Sequence, residues 1–283
     1  MEDTRAVIPM RPLTFGELLD AAVSLLRVQW PLLVVSAAVL AMCEQAFLYP
    51  LRAWAGTEPP LHLLDPDRLG STWLAFCVGL TTEGAILAVL GGLAGAAAGP
   101  GLLGQPAPWR QLLRQVLRRL PALLVVAGVT AVILLAGSLF LLLPWLFLFG
   151  LVGLAAPALV VDRVGPARAL GRSFKLASVG LRGAAVRLGG YFSWAAIRLT
   201  LGFTAYGLLQ VALRPGTLAF TLLMLALWVL VDAVAYATLA CIDAVLYLET
   251  RMRVEALDIA IGRIRRLGRP VDLADSAVLG AAR

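Results

Sequence analysis

Long apolar stretches alternate with short arginine-rich ones along most of this chain. A bilayer span needs about 20 mostly apolar residues. Six segments meet that requirement: 30–49, 72–98, 121–142, 144–161, 187–213 and 216–246. The third and fourth nearly touch. Pro144 removes a helix donor between them, so the pattern predicts a tight hairpin at Leu143–Trp145 rather than one very long helix. The expected architecture is all-α: a polytopic membrane protein with six transmembrane helices in one domain over 1–267 and a flexible cytoplasmic tail over 268–283.

An amphipathic stretch precedes every second span. Residues 14–28 open with Thr14 and Glu17 in capping-box spacing and lead into "PLLVV". Residues 108–119, "PWRQLLRQVLRR", lead into "PALLVV", and residues 166–178, "PARALGRSFKLAS", precede the fifth span. Arg110, Arg114 and Arg118 form a stripe at i, i+4, i+8, with Leu112, Leu113 and Val116 largely opposite. Such a helix lies in the headgroup plane or packs on the bundle as a short connector. The chain thus reads as three hairpins, each preceded by a cytoplasmic amphipathic interfacial helix. In span two, Gly84, Ala88, Gly92 and Ala96 share one row and Gly91, Gly95 and Gly99 another. Small residues at that spacing permit close helix approach, which predicts a central position for this span.

Composition strengthens the membrane assignment. The chain is 60% hydrophobic and only 14% charged, against roughly 25% charged residues in soluble domains. The net charge of +7 reads as cytoplasmic arginine rather than nucleic-acid binding. Twenty of the 24 basic residues fall at the two termini and in the second and fourth connections. Arg52, Arg68 and Arg214 lie on the opposite side, and Arg198 lies inside a span. By the positive-inside rule, both termini are expected in the cytoplasm, at a bacterial plasma (inner) membrane. No cleaved signal peptide is expected at the N-terminus. Arg110, Arg114, Arg118, Arg263, Arg265 and Arg266 are then placed to meet anionic lipid headgroups.

Little in the chain suggests chemistry. Cys43, Cys77 and Cys241 sit in apolar stretches without metal spacing and read as core filler. The lone histidine, His62, sits with Asp65 and Asp67 in "HLLDPD", which suits a solvated turn. Motifs for zinc hydrolysis, a nucleophilic serine or phosphate binding are absent. No catalytic residue, metal or cofactor is therefore expected.

The informative residues are charges inside the spans: Glu44, Glu83, Arg198, Asp232 and Asp243. Charges at bilayer depth usually pair or line a wet cavity. Counting helical rise puts Glu83, Arg198 and Asp232 at comparable depths, and Glu44 nearer the outer surface. Tyr236 lies on the same stripe of span six as Asp232. Two readings of Glu83, Arg198, Asp232 and Tyr236 compete. One is a buried Arg198–Asp232 pair fixing helix register, and the other a polar path or lipid-headgroup site.

A second cluster follows the last span, where the chain runs on into alternating charges. Arg251 and Glu255 have the i, i+4 spacing of an intrahelical pair. Arg253 and the remaining acids, Glu249 and Asp258, are assigned partners on other cytoplasmic stretches. Glu17 and Asp20 would serve the arginines; Arg172 and Lys175 would serve the acids, with Asp162 at the membrane exit. Val254, Leu257, Ile261 and Ile264 recur at helical spacing, so the extension should pack one face.

Three stretches carry a resemblance. "RPLTFGELLDAA" (Arg11 to Ala22), "ALVVDRVGPARALGRSFKL" (Ala158 to Leu176) and "YLETRMRVEALD" (Tyr247 to Asp258) resemble the opening, middle and closing motifs of the membrane domain associated with glycerophosphoryl diester phosphodiesterases. In the closing motif, Tyr247, Glu249, Arg251, Arg253, Glu255 and Asp258 fit the pattern. Ala256 stands where that family has Gly, the residue a tight turn would favour, and Asp162 stands where Glu is commoner. The membrane part of that family is not the hydrolase, so the resemblance implies topology and not phosphodiesterase activity. The expected function is a non-enzymatic accessory or scaffold module, its basic cytoplasmic face meeting anionic lipid or a membrane-protein partner. The alternative is a transporter or lipid-translocating protein using Glu83, Arg198 and Asp232. A transporter would expose those charges in a wet cleft, whereas a scaffold would seal them.

Overall fold

A computed structural model describes residues 7–57, 66–105, 107–268 and 271–274. His62, Asp65 and most of the 268–283 tail lie outside the described residues. Among the described residues every regular element is helical. The helices are α1 (Phe15–Ala55), α2 (Leu69–Leu102), α3 (Trp109–Arg118), α4 (Leu120–Leu139), α5 (Leu143–Val152), α6 (Ala155–Val161), α7 (Pro166–Ala177), α8 (Leu181–Ala212), α9 (Leu218–Glu255) and α10 (Leu257–Arg266). Six segments are long and apolar enough to cross a membrane: α1, α2, α4, the α5–α6 pair, α8 and α9.

Helix boundaries differ from the sequence expectation where polarity and helicity part company. The stretch 14–28 and span one form a single helix, α1, bent at Gln29 (φ −117°, ψ 21°). Pro31 causes the bend, because it cannot bond the carbonyl four residues back and its ring collides with it. The Gln29 side chain fixes the bend by donating to the Ala107 carbonyl at 3.0 Å. At the other end of this segment, Thr14 and Glu17 form both bonds of a capping box.

The turn between α4 and α5 lies at Leu141 and Leu142, with φ of 56° and 66°, earlier than the expected Leu143–Trp145. Pro144 then occupies the first turn of α5, where a missing N–H costs nothing. Ten residues later the helix breaks again at Gly153 and Leu154, before α6. A Cβ on Gly153 would collide with the Arg187 side chain. Ser173 of α7 satisfies the backbone freed by this break: its hydroxyl donates to Leu151 O at 2.5 Å and accepts from Leu154 N at 3.1 Å. Irregular backbone at membrane depth persists where protein groups replace its lost bonds.

Helix α2 packs against α1, α4, α6 and α9. Its glycine rows make that possible: a Cβ on Gly95 would sit 3.0 Å from Pro157 Cα, and one on Gly92 2.7 Å from Leu123 Cδ1. Helices α1 and α9 share the most extensive interface. Helix α8 is peripheral, packing on α9 and α5, and most of its C-terminal half is exposed. Cys77 and Cys241 are buried, but Cys43 is exposed on α1, so it is not core filler.

The last long helix does not run straight on. Ala256 adopts a left-handed conformation (φ 51°, ψ 42°), and α10 leaves in a new direction. Leu257 and Ile261 are buried and Ile264 is half-buried, whereas Val254 is exposed, contrary to the expected packing stripe. The tight turn forms although Ala256 lacks the freedom of Gly.

Candidate functional site

Two layers of charge emerge, one near the α9–α10 turn and one deep among the long helices. In the first, Asp162 caps the C-terminus of α6 and is sealed from solvent. It accepts from Arg251 Nη1 at 2.7 Å, pairs with Arg172, and accepts the Tyr247 hydroxyl proton. Glu255 accepts from Arg251 Nε at 2.9 Å and Arg172 Nη2 at 2.6 Å. Arg172 Nε also lies 3.1 Å from the Tyr247 oxygen. Two arginines and two acids thus close a neutral ring joining α6, α7 and α9. Burial works against the charge on Arg172, but Tyr247, Asp162 and Glu255 outweigh it and hold the guanidinium above its ordinary pKa. Arg119, beside this layer, is held below its ordinary value by burial and by Arg163. It donates to Leu159 O at 3.1 Å and Arg163 O at 3.4 Å.

A second unit lies alongside. Glu249 accepts from Arg182 Nη1 at 2.6 Å and pairs with Arg253 four residues on. Both arginines also donate to the Leu13 carbonyl, each at 2.7 Å. One backbone oxygen just ahead of α1 is therefore held from α8 and α9 together.

Several expected clasp members are placed elsewhere. Glu17 pairs with Arg11, and its oxygens are also taken by the Thr14 N–H and hydroxyl. It does not reach Arg251 or Arg253. Arg253 finds its acid within its own helix, not on residues 14–28. Asp20 and Lys175 are exposed and Asp258 is half-buried, and none of the three forms an ion pair among the described residues. Asp258 sits in the first turn of α10, where a carboxylate meets the positive end of the helix dipole. Arg182, counted only among the basic charges, and Tyr247, read as part of a motif and of the polar stripe on span six, were not assigned to this cluster from the sequence.

The deep layer joins four helices. Arg198 of α8 reaches Glu83 of α2 (2.7 and 3.4 Å) and Asp232 of α9 (3.2 Å). Tyr191 donates to Glu83 at 2.5 Å. Gln45 of α1 donates to Asp232 at 3.1 Å and accepts from Arg52 at 2.7 Å. Tyr236 bonds not Arg198 but Glu44, at 2.7 Å, and Glu44 also bonds Thr82 at 2.7 Å. Glu44 therefore belongs to this network, not to the outer surface. Helix α1 continues to Ala55, which leaves Glu44 about 16 Å below its end. Lower down, Arg187 pairs with Asp243 at 2.7 Å, lies 3.7 Å over the Phe149 ring and donates to the Phe149 carbonyl. Arg187, expected among the cytoplasmic charges, is buried.

Arg110, Arg114, Arg118, Arg263, Arg265 and Arg266 are all exposed. Arg110 lies 5.3 Å over the Trp109 ring, and Arg265 donates to Leu103 O at 3.4 Å. Helix α3 buries Leu112 and Val116 while Trp109 and Leu117 stay exposed. Among the described residues, no group of three or more His, Cys, Asp or Glu side chains could hold a metal ion. No protein-family model, curated protein or solved structure matches the chain.

Proposed function

We propose that this chain is an integral plasma-membrane module without chemistry of its own, an accessory or scaffold whose basic cytoplasmic layer meets anionic lipid or a protein partner. Its termini and helices α3, α7 and α10 lie on the cytoplasmic side. Its six spans form three hairpins, each approached by an amphipathic segment. The arginine asymmetry supports the orientation. The exposed arginines of α3, set against its buried Leu112 and Val116, support an interfacial position.

One observation carries the choice of a scaffold over a transporter. The deep charges bond one another and are packed shut: Arg198 is 7% exposed and Asp232 2%. Charges that conduct or carry line a wet path; these are tied across four helices. A second observation supports relationship to the membrane-domain family named above. Its three resembling stretches contribute Leu13, then Asp162 and Arg172, then Tyr247 to Glu255, and all meet in one charge layer.

The runner-up, a transporter or lipid-translocating protein, draws on Glu83, whose side chain is 18% exposed, and on a cavity of about 90 Å³ beside Arg52. Cysteine accessibility separates the two. A Thr82→Cys variant in a background without Cys43, Cys77 and Cys241 should resist charged thiol reagents from both sides of the membrane. Rapid labelling from either side would establish a wet path and refute the scaffold. A cysteine at Arg283 should react with impermeant reagent only from the inside.

A further inference from the structure

A cavity of about 270 Å³ opens between α5, α7, α8 and α9, beside the Glu249 unit. Part of its wall is apolar, including Leu154, Leu176, Val179 and Leu246; the charged part is Arg182, Glu249 and Arg253. The volume is close to the lower end of the small-molecule range, about 300–1,000 Å³. The two arginines are 39% and 42% exposed, whereas Glu249 between them is buried. Each guanidinium gives one nitrogen to Glu249 and one to Leu13 O. Arg182 Nε and Arg253 Nη1 remain without a partner among the described residues. The charge here is also unbalanced, in contrast to the neutral Asp162 ring: two guanidinium groups share one carboxylate. Exposed apolar side chains, Val179, Leu181 and Val254, stand close by.

We propose that this cavity binds a phosphate group carried as a singly charged phosphodiester. Guanidinium forks match phosphate oxygens in geometry and charge. One negative charge brings the Arg182–Glu249–Arg253 unit to neutrality, and a doubly charged monoester would overshoot it. The apolar surroundings suit a phospholipid headgroup whose acyl chains leave past Val179 and Leu181. This inference rests on the cytoplasmic placement of the charge layer proposed above.

Native mass spectrometry of the full chain, released from nanodiscs of phosphatidylcholine doped with phosphatidylglycerol, tests it. Gly183 lines the cavity, and a Cβ there meets nothing within 4 Å. Gly183→Leu therefore fills the space while leaving every arginine bond in place. Gly183→Leu and the double variant Arg182→Gln/Arg253→Gln should each reduce retention of the first phosphatidylglycerol about tenfold or more. Arg110→Gln/Arg114→Gln/Arg118→Gln should leave that first lipid in place and lower only the total number of adducts. Displacement by millimolar glycerophosphoglycerol, a free singly charged diester, would support the site with a free ester as occupant; resistance to it would support the lipid. Wild-type retention by Gly183→Leu overturns the cavity. If the surface triple variant still loses adducts, the basic face stands without it. If Gly183→Leu loses the first lipid while the surface variant changes nothing, the cavity stands and the basic face fails.

Discussion

Replacing Arg251 with methionine keeps the aliphatic stem of a side chain that is wholly enclosed and removes its guanidinium group. The substitution deletes two pairs, to Asp162 at 2.7 Å and to Glu255 at 2.9 Å. Asp162 remains enclosed with Arg172 and the Tyr247 hydroxyl, short of the second cation that balances the ring. Removing one partner of a buried pair typically costs about 3–5 kcal/mol. Arg253 provides the internal control. Its partner Glu249 keeps Arg182 when Arg253 is lost, and its own side chain is substantially exposed. Arg253→Met should therefore cost only about 0–1 kcal/mol. The expected gap of about 3 kcal/mol is roughly a hundredfold in the unfolding equilibrium. Reversible denaturation in mixed micelles can resolve it. The double variant Arg251→Met/Asp162→Asn should recover part of the loss, because the uncompensated charge is then gone, with a coupling of about 0.5–3 kcal/mol. If Arg251→Met and Arg253→Met unfold within about 1 kcal/mol of each other, the ring does not act as a buried unit.

Arg198→Leu should destabilise more than the triple change Arg198→Leu/Glu83→Gln/Asp232→Asn, since only the single variant strands two carboxylates; simple additivity in the same unfolding assay would exclude the network. Gly95→Ala should cost about 1–3 kcal/mol, because the new methyl meets Pro157 Cα at 3.0 Å. Gly128→Ala, where a Cβ meets nothing within 4 Å, should be neutral or stabilising by up to about 1 kcal/mol. Arg172 is held above its ordinary pKa, so its contribution is complete below the ordinary arginine value and is lost only as pH rises through the raised one. Stability arising from Arg172 should therefore stay flat across neutral pH. Arg172→His would bring the loss into range: a histidine beside Asp162 and Glu255, raised above its unfolded value of about 6.5, should stabilise at pH ~5.5 and lose that stabilisation as pH rises through its folded pKa. Unfolding curves at the two ends of that range would check it.

Span number and rough position were legible because bilayer thickness sets the length of an apolar run. The glycine rows of α2 were legible too, since close helix approach leaves small residues at a fixed spacing. Helix ends were harder to read. Thr14 and Glu17 marked the start of the first amphipathic stretch, but hydropathy changes near Trp30 and does not register that the helix runs on across that boundary as one α1. The depth of Glu44 was misjudged for the same reason at the other end of α1. The Glu249–Arg253 pair had a visible four-residue spacing and could have been found. The Leu13 carbonyl could not: a backbone oxygen has no residue type to betray it. Nor did any local signal show that Arg187 turns inward, because its place is made by the break at Gly153, a feature of another helix.

The Leu13 carbonyl is bonded by an arginine 240 residues further along the chain. A ribosome adding about 5–20 residues per second takes roughly 12–48 s to cover that distance. For that interval α1 is already made, but the α9 face it packs against has not been synthesised. The first helix must wait in lipid or in the care of the insertion machinery. It is released when Arg253 emerges, so a chain stalled or cut before α9 would present an unmated α1 surface to whatever surveys the membrane for unfinished proteins.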